Sequence, residues 1–316
     1  MFIHKSQGNS TAELQHLGLL HLAVSFFVTT VPCCVFLFIN LITLFTLRSK
    51  EVFRETSRYL LLFNLLLADT LQMVHSQSMF LLSLGRVTLA YPVCAILSAV
   101  YFLSHRISQL TLVVMCLEKR YVAVCFPLRH SSIITIRNTN VVIMAIWAVT
   151  SLNNLTRVFW FLKSSSEKIE ISKLKDLCST VSLILGALTN EYDRAYTCVV
   201  FVSAGVAATF SYVGVIKAAR SASTNKALAN KARHTLLLNL IQLGLSLSST
   251  IYTPLIIGLS KILTRIAFSW VRNVFYVCFI IFPRCLSSLI YGLRDQTIRP
   301  VLLYYLCCPL RVEVND

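Results

Sequence analysis

The chain has 316 residues, of which 56% are hydrophobic and 13% charged, about half the charged fraction of an ordinary soluble domain. That balance excludes a soluble enzyme. A net charge of +16, from 29 basic against 13 acidic residues, would suggest nucleic acid in a soluble protein; on this apolar background it indicates basic loops on the inner face of a membrane and lipid as the surrounding partner.

A helix needs about 20 mainly apolar residues to cross the hydrocarbon core, and seven windows of that kind follow one another. Leu17 to Leu47 is the first and has no Asp, Glu, Lys or Arg. Tyr59 to Leu84 holds only Asp69, Val93 to Leu117 only Arg106, and Val141 to Leu162 only Arg157. Ala195 to Ile216 and Thr235 to Ser260 are again free of charge, and Asn273 to Leu293 carries Arg284. Leu177 to Asn190 is too short to span and reads as loop. The expected fold is therefore an all-α membrane protein, a bundle of seven transmembrane helices. Residues 1–16 are an N-terminal tail, 17–293 the bundle, and 294–316 a tail with a short amphipathic helix over Ile298 to Leu306. Met1 to Leu14 lacks the apolar stretch of a cleavable signal peptide, so the first span serves as its own insertion signal.

Seven spans put the two ends on opposite faces. The first, third and fifth loops and the C-terminal tail hold 16 Lys and Arg, against 10 in the N-terminus and remaining loops, which favours a cytoplasmic C-terminus and an extracellular N-terminus. Asn9-Ser10-Thr11 is a glycosylation sequon that fits the same orientation; Asn154-Leu155-Thr156 matches too, but inside a span. Nine of the 11 cysteines fall within spans or on the inner side, where thiols stay reduced. Cys94 and Cys178 remain outside, and a bridge between them would pin the second outer loop over the bundle, stabilising it by about 4 to 5 kcal/mol; the alternative is two free thiols. Cys307-Cys308, after the amphipathic tail, are candidates for palmitoylation, and an unmodified pair is the plainer reading.

A charge within the hydrocarbon costs about 2.5 to 3.5 kcal/mol on insertion scales, so it normally faces the bundle interior. Tyr101, His105 and Gln109 recur every four residues on the third span, with Phe102 and Arg106 on the adjoining stripe. This face offers an aromatic wall, an imidazole and a cation, suited to a small ligand with a polar or anionic group. Tyr196, Tyr252 and Tyr276 are placed to close such a pocket. A polar packing network and interfacial aromatic anchors account for the same residues equally well. Asn40 and Asp69, with Ser287 and Ser288, form a candidate polar core cluster. No phosphate loop, HExxH, nucleophile elbow or metal-ligand spacing is present, and no internal repeat suggests a transporter. The chain is read as no enzyme, with no cofactor and no metal.

The inner end of the third span reads Glu118-Lys119-Arg120-Tyr121-Val122-Ala123-Val124-Cys125-Phe126-Pro127-Leu128-Arg129-His130. This resembles the odorant-receptor form of the signature of rhodopsin-like G-protein-coupled receptors, in the flavour found in fish. Leu67-Ala68-Asp69, Trp147, Ser211-Tyr212, Lys231 to Thr235, and the closing run Pro283 to Asp295 are similar to further family landmarks, and the likeness covers about Asn40 to Asp295. It implies a plasma-membrane receptor of olfactory sensory neurons that binds a small odorant and activates a heterotrimeric G protein of the olfactory stimulatory type. Glu118, Lys119, Arg120 and Tyr121 would form the inner switch, with Tyr212 and Tyr291 swinging toward it. A class A receptor for a non-odorant small molecule or peptide, and a small-solute transporter, are the alternatives. Two departures stand out: Lys119 separates the acid from the arginine and so turns Arg120 by about 100°, and Ser288 replaces the motif proline, removing the usual kink source.

Overall fold

The computed structural model describes residues 3–85, 87–117, 135–166, 175–176, 252–294 and 298–307, with scattered positions between 192 and 249. Helix α1 (Ile3–Ser49) is the first span, and a single turn, α2 (Glu51–Arg54), leads to the second, α3 (Ser57–Leu84). A two-residue strand β1 (Leu89–Ala90) precedes the third span, α4 (Tyr91–Leu117). The fourth is α5 (Ile136–Ser166), and β2 (Lys175–Asp176) lies beyond it. The described part of the fifth span is helical at 195–196, 198–203, 205–206, 209–210 and 213. The sixth ends in α6 (Tyr252–Ser260). The seventh comprises α7 (Arg265–Phe275), a π-helical turn (Tyr276–Ile281) and α8 (Phe282–Arg294), with α9 (Ile298–Cys307) after it.

Among the described residues four helices are long and apolar enough to cross a membrane, over Leu22–Ser49, Val93–Met115, Ile136–Phe159 and Trp270–Ile290. The second span has the length, at 28 residues, but its apolar content is diluted by buried Asn64, Asp69, Thr70, Gln72 and Ser76. Those polar residues do not face lipid, because the opposite side of α3 does so through exposed Leu71 and Val74. α3 packs most extensively on α4, and also on α1. Leu61, Leu62, Leu65 and Leu66 of α3 form the inner core with Leu112 and Met115 of α4. Ile298 of α9 is fully buried in the same cluster, so the expected amphipathic helix is docked by its first residue. Hydroxyls inside the spans close onto their own helix, as in Thr29 to the Ser25 carbonyl at 2.9 Å and Thr150 to that of Ile146 at 2.7 Å. This hides a polar group where no water can serve it.

Three features differ from the sequence expectation. The helix of the first span starts at Ile3 and not at Leu17, so residues 3–16 of the predicted tail are continuous with it. Ala12-Glu13-Leu14-Gln15 are strong helix formers, and a helix already nucleated by the span propagates through them. Its 47 residues measure about 70 Å, more than twice the hydrocarbon thickness of about 30 Å. Second, the expected all-helical fold carries an antiparallel strand pair, Leu89 opposite Asp176 and Ala90 opposite Lys175. Third, the seventh span is distorted ahead of Ser288. Pro283 has no N–H and crowds the carbonyl four residues back. The Phe282 N–H bonds the Val277 carbonyl instead, a five-residue π step that widens the helix there.

Candidate functional site

The site grows out of the intramembrane polar residues. Arg284 follows Pro283 in the first turn of α8 and is 1% exposed. Its Nη1 donates to Asp69 Oδ1 at 3.1 Å and to Ser108 Oγ at 2.9 Å. Nη2 donates to His105 Nδ1 at 2.8 Å and to Ser249 Oγ, in the sixth-span region, at 3.3 Å. Ser108 Oγ in turn donates to Asp69 Oδ1 at 2.6 Å. One guanidinium therefore ties together residues of the second, third, sixth and seventh spans. Two charges out of water are tolerable only when paired and further hydrogen-bonded, and here every oxygen facing the cation is an acceptor.

The network also fixes the state of the imidazole. A guanidinium only donates, so His105 Nδ1 accepts and the proton resides on Nε2. Nε2 meets the Gln109 amide at 3.1 Å, and the end of that amide facing it is assigned as the accepting oxygen. Gln72 Nε2 lies 2.9 Å from the same Nδ1 and shares its lone pair with Arg284. Tyr101 stacks on His105 with centroids 6.0 Å apart and touches His75 at 5.2 Å. The phenols of Tyr101, Tyr252 and Tyr276 are electrostatic neighbours, and Tyr276 stacks on Phe80 at 5.9 Å.

Two further cations sit on aromatic faces toward the fourth and fifth spans. The Arg106 guanidinium lies 3.8 Å from the Tyr196 ring centre and that of Arg157 lies 3.3 Å from the Phe102 ring centre. Both arginines are buried, and desolvation strengthens such contacts to about 2 kcal/mol or more. Between the second, third and fourth spans Asn64 acts as a staple, donating to Thr111 at 2.8 Å and accepting from Trp147 Nε1 at 2.9 Å.

Set against the sequence reading, Tyr101, His105, Gln109, Tyr252 and Tyr276 are neighbours, Phe102 meets Tyr101 edge-on, and Arg106 pairs apart from them with Tyr196. His105 and Gln109, however, are engaged by the Arg284 network. The expected single core cluster divides in two. Asn40 accepts from Ser288 and donates to the Met73 sulfur at 3.6 Å, whereas Asp69 belongs to Arg284. Ser287 and Tyr291 are placed on α8 and Cys307 on α9, and Asn9 lies in the first turns of α1, by backbone alone. Glu118, Lys119, Arg120, Tyr121, Tyr212, Cys178 and Cys308 lie outside the described residues. Cys94 is fully buried and disulfide-bonded.

Sequence reasoning missed Gln72, His75, Ser108 and Ser249. A signal for the first two was available, since Asp69, Gln72, His75 and Ser76 repeat at helical spacing in an otherwise apolar span.

Comparison with known proteins follows the same direction. The family model for the 7 transmembrane receptor (rhodopsin family) matches residues 39–291. The chain is 34% identical over 280 residues to Odorant receptor 131-2 of Danio rerio, covering 88% of this chain and 84% of that protein. It is also 28% identical over 106 residues to Olfactory receptor 1M1 of Homo sapiens, covering 33% of this chain and 34% of that protein.

Proposed function

The chain belongs to the rhodopsin family of seven-transmembrane receptors, and from that premise we propose that it is an odorant receptor: it binds a small odorant inside the helix bundle and activates a heterotrimeric G protein of the olfactory stimulatory type, raising cyclic AMP. The observation that carries the reading is the 34% identity to Odorant receptor 131-2 across most of both chains. The aromatic and cationic walls around Tyr101, Phe102, Arg106, Tyr196, Tyr252 and Tyr276 supply the recognition surface. Family membership sets aside the transporter reading.

In this proposal the N-terminus is extracellular, with Asn9 available for glycosylation, and the C-terminus is cytoplasmic. Residues 1–16, 17–293 and 294–316 serve as tail, receptor domain and inner tail in the plasma membrane of olfactory neurons. Cys94 is bridged to Cys178, a pairing supported by the β1–β2 register, which holds Asp176 beside Leu89. Glu118, Lys119, Arg120 and Tyr121, with Tyr212 and Tyr291, form the coupling end, and Cys307 and Cys308 are available for acylation. A ligand shifts such an equilibrium only through its differential affinity for the two states, and coupling of about 1–3 kcal/mol is typical.

The test is cyclic AMP in cells co-expressing the chain and an olfactory stimulatory G protein, across amino acids, bile-type acids and volatile organics. A concentration-dependent rise that disappears in Arg120→Ala, with surface delivery retained, is expected. Solute uptake in place of any cyclic AMP response would refute the proposal.

A further inference from the structure

The end of the bundle where α1, α2 and α9 meet carries a group of exposed cations. Leu47 in the last turn of α1, Phe53 in α2 and Ile298 at the start of α9 are buried members of one core cluster, and α9 packs on α1 and on α8. Arg48, Arg54 and Arg299 each follow one of those residues in the chain and are exposed, as is Lys50. Each of the three elements thus seats an apolar residue in the core and places an arginine outward beside it. Glu51 and Glu55 are the acids of the same stretch. Among the described residues neither forms an ion pair with these four cations.

Apolar side chains lie exposed among the same charges. Val52 of α2 is 63% exposed, and Leu303 and Tyr304 of α9 are 37% and 52% exposed. Arg299 is the one charged residue in α9. A helix that turns leucine and tyrosine outward, with a single cation in its first turn, suits the boundary between lipid headgroups and acyl chains. In the proposed orientation that boundary belongs to the cytoplasmic leaflet, where the anionic lipids are.

We propose that Arg48, Lys50, Arg54 and Arg299 form a binding site for an anionic phospholipid whose headgroup carries phosphate monoesters, its acyl chains lying along the exposed apolar residues of α2 and α9. The inference goes beyond the odorant reading, because the lipid is bound with or without an odorant.

The chemistry selects the headgroup. A guanidinium is a planar fork of donors that pairs two phosphate oxygens at once. A phosphate monoester brings three acceptor oxygens and a charge of about −1.5 to −2, more than the single carboxylate of a serine headgroup. A choline headgroup sets its own cation against the arginines. A soluble acidic partner would answer the cations but leave Val52, Leu303 and Tyr304 without an apolar cover. Charge that serves insertion alone needs only to lie on one side of the membrane, so any cation at this end would then count equally. Arg137 supplies that comparison. It is exposed in the first turn of α5, at the same end of the bundle, on a helix that packs on α3 and α4.

Native mass spectrometry of the purified full chain in a neutral detergent counts bound lipids and gives their affinities. The probes are phosphatidylinositol bisphosphate, phosphatidylserine and phosphatidylcholine with the same acyl chains, and inositol trisphosphate as a headgroup without chains. The expected affinities fall in that lipid order, with the bisphosphate about tenfold or more above phosphatidylcholine. A basic residue near an anionic surface is worth about 1 kcal/mol, or about fivefold. Arg48→Gln, Arg54→Gln and Arg299→Gln should each weaken bisphosphate binding by about that factor, while Arg137→Gln moves it less than about twofold. Inositol trisphosphate should bind about tenfold or more weakly than the lipid, since it buries no methylenes. Equal binding of the bisphosphate and choline lipids would overturn the site, and so would a loss in Arg137→Gln as large as in Arg48→Gln. Inositol trisphosphate binding as tightly as the lipid would overturn it in favour of a soluble acidic partner. The wild-type comparison of lipids needs no variant to fold. Neither odorant nor G protein enters the measurement, so its failure leaves the receptor proposal standing, and a silent cyclic AMP assay leaves the lipid site standing.

Discussion

Replacing Arg284 with methionine tests whether the seventh span is anchored by charge. The Arg284 and Asp69 side chains are 1% and 2% exposed and 3.1 Å apart. Removing the cation leaves a buried carboxylate supported by Ser108 at 2.6 Å but no longer by the guanidinium, and breaking such a pair costs about 3–5 kcal/mol. At roughly 2–4 °C per kcal/mol for chains of 150–250 residues, the melting temperature should fall by about 6–20 °C. Asp69→Leu should do comparable harm, because it orphans the guanidinium. The double variant Asp69→Leu with Arg284→Met removes both charges and should lie near the wild type, since apolar replacement of a whole buried pair is often neutral. Thermal unfolding of the four proteins in one detergent gives the coupling energy directly. Additive single losses, with the double variant the least stable of the four, would refute the idea that these residues stabilise each other.

Trp147→Phe keeps an aromatic ring but deletes the N–H that reaches Asn64 at 2.9 Å together with part of the indole; a loss of about 1–3 kcal/mol is expected from the hydrogen bond, and in an Asn64→Leu background the same change should cost clearly less in unfolding assays, since only the lost packing remains. Tyr196→Phe preserves the face under Arg106 and should leave thermal stability nearly unchanged, whereas Tyr196→Leu should lower it by about 0.5–2 kcal/mol. Deleting Lys119 restores the family spacing between the acid and the arginine, and basal or ligand-stimulated cyclic AMP should change; identical output with equal surface expression would show that the extra residue is absorbed without consequence.

The apolar windows were legible because each span is long and low in charge, and α3, α4 and α5 begin and end within a few residues of the expected positions. The inward face of the third span was legible too, since Tyr101, His105 and Gln109 share one side of a helix. What periodicity does not carry is partner choice across helices. Asp69 was grouped with Asn40, Ser287 and Ser288, whereas Arg284 takes it, because pairing depends on the depth and rotation of two distant spans. The π turn was equally hidden, arising from a clash between Pro283 and backbone four residues earlier, although the proline itself was in plain view. The β1–β2 pair joins two residues from each of two loops, too short for any alternating pattern to register.

The partition of polar groups changes what His105 can do. From the sequence it was a candidate ligand contact; in the fold its Nδ1 serves Arg284 and its Nε2 serves Gln109. A ligand that hydrogen-bonded His105 directly would have to displace a charged donor or an amide, and hydrogen bonds to charged groups are worth about 1.5–3 kcal/mol. That loss corresponds to about ten- to a hundredfold in affinity, so ligands that leave the network intact have the advantage. Tyr101 stands between the two environments, stacked on His105 on one side and touching His75 on the other. A molecule pressed against Tyr101 therefore meets an aromatic face backed by a fixed polar frame.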